Sequence, residues 1–318
     1  MEKLSFVIPC YRSEKTINAV VDEIHSVMTV ASDYDYEIVL VNDCSPDGVW
    51  AVISGICEKD YHVKGINLSK NFGQHAALMA GYNNCNGDYV VTIDDDGQTP
   101  VDQVFVLLDT LREGYDVVYG KYYERKDNGF RKFGTALNNF MLTTLVGKPK
   151  DVHLTSYFVA RKYIIDKICE YQNAFPYIWG LVLRTTKNIG NASIEHKTRT
   201  EGESGYTIWK LLNLWMNGFT AFSVKPLRIS ACVGFLFSCL GFLGIIHTVV
   251  QKILNPDIQA GYSSLMAVML IIGGLVLVSL GLIGEYVGRI YLCINSTPQF
   301  VIKEIINHEN PMIKSNSV

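Results

Sequence analysis

Apolar residues in the first half of the chain follow two alternating rhythms. Short unbroken runs, LSFVIP, YEIVLVND, VKGINLS, DYVVTID and DVVYGKY, are separated by stretches with apolar residues every third or fourth position, TINAVVDEIHSVM, GVWAVISGICEK, HAALMAGYNNC and DQVFVLLDTLREG. Continuous β-branched runs suit strands buried on both faces, and spacing of three to four marks one face of a helix. From Leu4 to about Gly147 the alternation predicts an α/β unit, a mostly parallel sheet with helices on both faces.

After about residue 225 the pattern changes. Ile229 to Val250 runs 22 residues without Asp, Glu, Lys or Arg, and as a helix it would reach about 33 Å. Ser264 to Gly284 is a second such stretch, about 31 Å long on the same rise. Two transmembrane helices are expected, because the alternative, two core helices of a soluble domain, calls for a polar stripe that neither segment carries. Lys225 and Arg228 precede the first stretch, Arg289 and Lys303 follow the second, and the connecting QKILNPDIQAGYS holds one Lys and one Asp. Basic flanks mark the cytoplasmic side, so both ends are expected there, with the short loop outside. The first thirty residues lack the basic start and apolar core of a signal peptide, which also leaves the N-terminus in the cytosol.

The expected division is therefore 1–205 for the α/β domain, 206–228 for a juxtamembrane helix, 229–250 and 264–284 for the spans, and 285–318 for a cytoplasmic tail. In the juxtamembrane stretch Ile208, Leu211, Leu212, Trp215 and Phe219 share one helical face. That face suits either a helix lying in the membrane interface or an ordinary packed helix. The aromatic stretch AFPYIWG, Ala174 to Gly180, fits either a buried loop or one dipping into lipid.

Composition narrows the partners. A net charge of −3 over 318 residues and a pI near 6.2 give no basic excess for nucleic acid. Eight cysteines without a CxxC pair read as reduced thiols. Neither GxGxxG nor GxxxxGK[ST] occurs, so a dinucleotide fold and a P-loop lack support.

Parallel sheets bind ligands beyond the carboxyl ends of their strands. Polar clusters fall there: Pro9 to Ser13, Asn42 to Asp47, Lys70 with Asn71, and Asp94 to Gln98. The last, in TIDDDGQTP, sets three carboxylates in a row, whose repulsion must be offset by a divalent cation, an Arg/Lys cluster or solvent. On an extended end Asp94 and Asp96 share a side, which Gln98 continues, giving hard oxygens suited to Mg2+ or Mn2+ on a diphosphate. Asn42 or Asp43 would accept the N3–H of a uracil or thymine ring. The plain alternative is a solvated turn with Asp96–Gly97 at its corner.

Taken together, FVIPCYRSEKTI, EIVLVNDCSPDG, LSKNFGQHAALMAGYNNCNGDYVVTIDDDGQTP, RTEGESGY and GLIGEYVGRIY resemble the family-2 (GT-A fold) polyprenyl-phosphate glycosyltransferases. That family includes dolichyl-phosphate mannosyltransferases and bacterial undecaprenyl-phosphate glucosyl- and 4-formamido-arabinosyl transferases. The resemblance runs from Leu4 to about Phe300, and the two-helix tail fits the bacterial branch. It implies a GT-A (Rossmann-like) domain followed by two transmembrane helices in the bacterial cytoplasmic membrane. It further implies inverting transfer of one sugar from a nucleotide-sugar donor to undecaprenyl phosphate, and a homo-oligomer, a tetramer in relatives.

By resemblance Pro9 and Tyr11 line the nucleotide pocket, Asn42 and Asp43 sit by base and ribose, and Asp95 belongs to the donor-binding set. Asp94, Asp96 and Gln98 form the metal and diphosphate site. Arg199 reaches the phosphates from a loop shaped by Gly202 and Ser204, and Asp151 lies near a further carboxylate of some relatives. Three positions depart from the pattern: Ser13 where relatives often carry Glu, Asn42 where many carry Asp, and Gly205 where many carry Lys. Lys121, Arg131 or Lys197 are candidates for the missing charge. A processive polysaccharide synthase is the rival enzyme, but it needs more membrane helices and a QxxRW-like motif, which is not found in the chain. A non-catalytic nucleotide-binding membrane scaffold is the rival outside catalysis.

Overall fold

Unbroken apolar runs fill the centre of a sheet. In the computed structural model, which describes residues 1–31, 33–122, 143, 148–149, 151–195, 225–254, 261–295, 297–308 and 310–314, four of these runs lie parallel. They are β1 (Glu2–Cys10), β2 (Tyr34–Asn42), β3 (Val63–Leu68) and β4 (Tyr89–Thr92), in the order β4-β1-β2-β3. From Leu4 onward every β1 residue is buried, as layers on both faces demand.

The flanks are mixed. β5 (Val117–Tyr122) and β4 are both antiparallel to β6 (Phe158–Arg161), and β5 is parallel to β7 (Ile189–Ile194). At the other edge β8 (Ile302–Asn307) runs antiparallel to β3, and β9 (Asn310–Lys314) antiparallel to β8. Among the described residues the sheet has nine strands in the order β7-β5-β6-β4-β1-β2-β3-β8-β9. The parallel pattern expected from sequence thus holds at the centre. The residues that follow Ile294, read as a tail from sequence, include a strand that closes the β3 edge.

Helices cover the sheet as their spacing requires. α1 (Ile17–Val30) buries Ile17, Val20, Val21, Ile24 and Met28, one face of a 3.6-residue helix. α2 (Val49–Cys57) and α4 (Val104–Arg112) bury similar stripes. α3 (Gln74–Tyr82) is buried from Ala76 to Tyr82 and approaches the sheet closely: a Cβ on Gly81 would lie 2.4 Å from Val7 Cγ1. α5 (Lys162–Cys169) and α6 (Ile178–Thr185) follow β6.

The chain divides into two units, Met1–Ile208 with Ser296–Val318, and Trp209–Asn295. Described residues of the second form α7 (Lys225–Leu254) and α8 (Tyr262–Ile294), joined by a hydrogen bond between the Ser230 and Ser279 hydroxyls at 2.8 Å. Both helices outrun the apolar stretches that announced them. Among the described residues, Ile271–Ile294 alone is long and apolar enough to cross a membrane, and Ser230–Gly244 is apolar but shorter. Residues 206–224 of the expected juxtamembrane helix lie outside the described residues.

Candidate active site

The carboxyl ends of β1, β2 and β4 lie at one edge of the sheet, and their loops are tied together by side chains. Asp95 accepts the Tyr11 N–H at 2.9 Å, and its carbonyl accepts the Thr16 hydroxyl at 2.6 Å. Ser45 accepts the Arg12 N–H at 2.8 Å and donates to Asp47 at 2.6 Å. Asp47 accepts the Glu14 N–H at 3.1 Å, while Glu14 accepts the Gly48 N–H at 3.0 Å. These bonds hold two non-glycine residues in the left-handed region, Arg12 at φ 60° and Cys44 at φ 48°. Each such residue costs about 1 kcal/mol or more, and such strain concentrates where loops are shaped for a ligand.

Asn42 and Asp43 are engaged with their own chain. Asp43 accepts the N–H groups of Phe72 and Gly73 at 2.7 and 2.8 Å, a geometry reached because Gly73 takes φ 91°. Burial nevertheless lifts the Asp43 carboxyl above its ordinary value. Asn42 donates to Asn67 Oδ1 at 2.8 Å and accepts the Ser45 N–H at 3.1 Å. The pair therefore anchors the β2 loop, whatever else it meets.

Asp94 is held from both sides. Gln74, at the start of α3, donates to Oδ1 at 3.0 Å, and the Ser156 hydroxyl, just before β6, donates to Oδ2. Asp96 is exposed and accepts the Gln98 N–H at 3.0 Å. Burial raises the Asp94 carboxyl and the charge of Asp96 adds to it, with Ser156 and Gln74 working the other way. Burial pushes Asp95 up to about 6. Tyr122, at the end of β5, is pushed up to about 12 by burial and by both Asp94 and Asp96, so its ring lies within the field of the pair.

Among the described residues no Lys or Arg pairs with Asp94, Asp95 or Asp96. Of the three possible offsets for the triple aspartate, an Arg/Lys cluster thus finds no support there. Asp95 turns to Tyr11, which leaves Asp94 and Asp96 as a pair of hard oxygen donors. Mg2+ and Mn2+ are commonly held by one or two carboxylates completed by phosphate and water, and this donor set fits them.

The remaining expected residues fall at several points of the chain. Pro9 is buried within β1 opposite Val41. Ser13 is buried, and its carbonyl accepts the N–H groups of Thr16 and Ile17 to open α1. Lys121 is exposed on β5. Asp151 is exposed and its charge acts on Lys148. Arg131, Lys197, Arg199, Gly202, Ser204 and Gly205 lie outside the described residues.

Gln74, Thr16 and Ser156 were not legible as site residues. Gln74 follows the polar cluster after β3 by only three residues, a signal that existed. Ser156 lies just before antiparallel β6, 62 positions from its partner, and no local pattern announces it. The AFPYIWG stretch is divided: the rings of Tyr177 and Trp179 stand edge-on to His75 at 5.1 and 5.5 Å and Trp179 donates to the Thr155 carbonyl at 3.1 Å, while Phe175 is exposed. Burial holds His75 down at about 4.

Comparison with known proteins adds to this geometry. Residues 5–169 match Glycosyl transferase family 2, and residues 225–290 match the GtrB C-terminal hairpin. The chain is 32% identical to an undecaprenyl-phosphate 4-deoxy-4-formamido-L-arabinose transferase of Proteus mirabilis (strain HI4320), over 98% of this chain and 96% of the relative. It is 30% identical to the protein of the same name from Yersinia enterocolitica, over 97% and 95% of the two chains. Among solved structures, mannosyl-3-phosphoglycerate synthase from Rubrobacter xylanophilus is similar in fold, with a TM-score of 0.51, 16% identity, and 72% and 75% of the chains covered.

Proposed function

The chain belongs to glycosyl transferase family 2, and from that premise we propose that it is an inverting transferase moving one sugar from a nucleotide-sugar donor to undecaprenyl phosphate, for surface polysaccharide or lipid modification. The observation that carries the reading is the acidic pair Asp94 and Asp96, buttressed by Gln74 and Ser156 at the sheet edge where the loops after β1, β2 and β4 meet. Near full-length similarity to transferases named for undecaprenyl phosphate supports the acceptor.

In this mechanism Asp94 and Asp96, with Gln98 beside them, would hold Mg2+ or Mn2+, which when bound supplies charge to offset that growing on the departing nucleoside diphosphate. Gln74 and Ser156 fix the orientation of Asp94. Asp95 and Asp43 hold the loops that enclose the donor. Tyr122 stays protonated at neutral pH, so it adds no negative charge beside the pair. The acceptor phosphate is already an anion, so the protein's main task is alignment rather than proton removal. An acceptor oxygen bonds to the anomeric carbon as the bond to the donor's diphosphate breaks on the opposite face, inverting that centre. Arg199, on a loop with Gly202 and Ser204, is assigned to the diphosphate, and Lys121, Arg131 and Asp151 to its surroundings.

The same reading gives domains at 1–205, 206–228, 229–250, 264–284 and 285–318, with two spans in the bacterial cytoplasmic membrane, both termini cytoplasmic, and a homo-oligomer. Large apolar side chains stand bare on the hairpin, among them Phe235 at 73% and Leu277 at 70% exposure, which supports lipid as their surroundings. The test is a transfer assay with purified full-length protein, undecaprenyl phosphate, Mn2+ and a panel of labelled nucleotide sugars. Label should appear in lipid from one donor, and Asp96→Asn should lower turnover by about 100-fold or more. Transfer from no donor, or an unaltered Asp96→Asn rate, would overturn the proposal.

A further inference from the structure

The sheet edge opposite the acidic pair holds a second group of metal-binding side chains. His25 projects from α1, and Asp60 and His62 lie on the turn between α2 and β3, beside the amino ends of β2 and β3. One ligand atom from each lies within 4.8 Å of the other two. His25 Nε2 is 2.6 Å from Asp60 Oδ2, and His62 Nδ1 is 3.3 Å from Asp60 Oδ1. Side-chain exposures of 26%, 20% and 18% make the group sheltered but reachable.

We propose that His25, Asp60 and His62 form a zinc site that clamps α1 to the α2–β3 turn, separate from the sugar-transfer chemistry. Two imidazoles and one carboxylate are a donor set that suits Zn2+ rather than the all-oxygen preference of Mg2+. The surrounding contacts are those a ligand set needs. Asp60 Oδ1 already accepts the His62 backbone N–H at 2.9 Å, which fixes the carboxylate and turns Oδ2 toward His25. His25 Nδ1 is 2.7 Å from the Tyr36 hydroxyl, the outer partner that would set the tautomer with Nε2 free to bind metal. The His62 ring is stacked on Tyr36 at 4.1 Å, which restricts its rotation.

Zinc takes the place of the direct contact between His25 Nε2 and Asp60 Oδ2, with any proton held there released to water. With bonds of about 2.0–2.2 Å to tetrahedral zinc, those two atoms must separate to about 3.4 Å, a shift within reach of side-chain torsions. The fourth ligand position is left to water. A groove of about 550 Å³ between α1 and α2, walled by His25 and Asp60 together with Asp22 and Lys59, gives the ion a way in.

Purified full-length protein, stripped by chelator and titrated with Zn2+ against a chromogenic zinc indicator, tests the proposal. One Zn2+ per chain should bind, with Asp96→Asn unchanged in stoichiometry and His25→Gln and Asp60→Asn each weakened by 100-fold or more. Co2+ should give the visible absorption of a tetrahedral N/O site in the parent and not in Asp60→Asn, and Zn2+ should raise the melting temperature of the parent only. Transfer activity of His25→Gln in Mn2+ should match the parent, which separates this site from the proposed catalytic one. No zinc bound, or equal affinity in the parent, His25→Gln and Asp60→Asn, would overturn the proposal.

Discussion

His75 sits in the first turn of α3, next to the Gln74 amide that holds Asp94, and is enclosed by Tyr177 and Trp179. Its imidazole titrates near 4 when folded against 6.5 ordinarily, because burial disfavours the charged ring. The unfolded chain therefore binds the extra proton across that interval, and the folded state loses stability as the pH falls through it. Stability from this group is complete above about 6.5 and should drop by about 3 kcal/mol on descending to 4. Urea midpoints measured across that range should fall for the parent and follow a flatter course for His75→Gln. At this scale the sequence exposed the residues whose chemistry is local. Asp94 and Asp96 stood out because two carboxylates two positions apart on an extended end share a side. Ser156 did not, because its role depends on β6 lying antiparallel beside β4.

The elements were legible wherever apolar periodicity was unambiguous. β1 to β5 and α1 to α4 lie where alternating runs and spaced stripes put them. β6 is only four residues long and carries no pattern that reveals strand direction, which hid its antiparallel insertion between β4 and β5. α3 shows what packing adds to pattern. Its small residues let it lie against the sheet, and Gly81 is the closest point, with Val7 Cγ1 2.4 Å from where a Cβ would stand. Gly81→Ala should gain about 1 kcal/mol of helix propensity and lose about 2–3 kcal/mol to overpacking, for a net destabilisation of about 1–2 kcal/mol. Chemical denaturation of the two proteins would reveal it as a lower midpoint at unchanged slope.

Across the whole molecule, one sheet is assembled from both ends of the chain. Asn67 of β3 donates to Glu304 of β8 at 2.8 Å, and the Ser69 N–H donates to the Val301 carbonyl at 2.9 Å. Truncation after Asn295 would uncover the β3 edge and leave Asn67 without that acceptor. An uncovered edge strand is a template for association, so the truncated protein should elute from size exclusion as aggregate, whereas the full chain elutes as a defined species. No pattern in residues 296–318 signals this pairing, since a short strand after a long helical insertion is recognised only by its partner. The pairing also constrains the journey between the two ends. Val63–Leu68 and Ile302–Asn307 are neighbours in one sheet, so under the membrane reading proposed above they share one side of the bilayer. On that reading whatever passes through lipid in between must come back, and the tally of passages is even, never one.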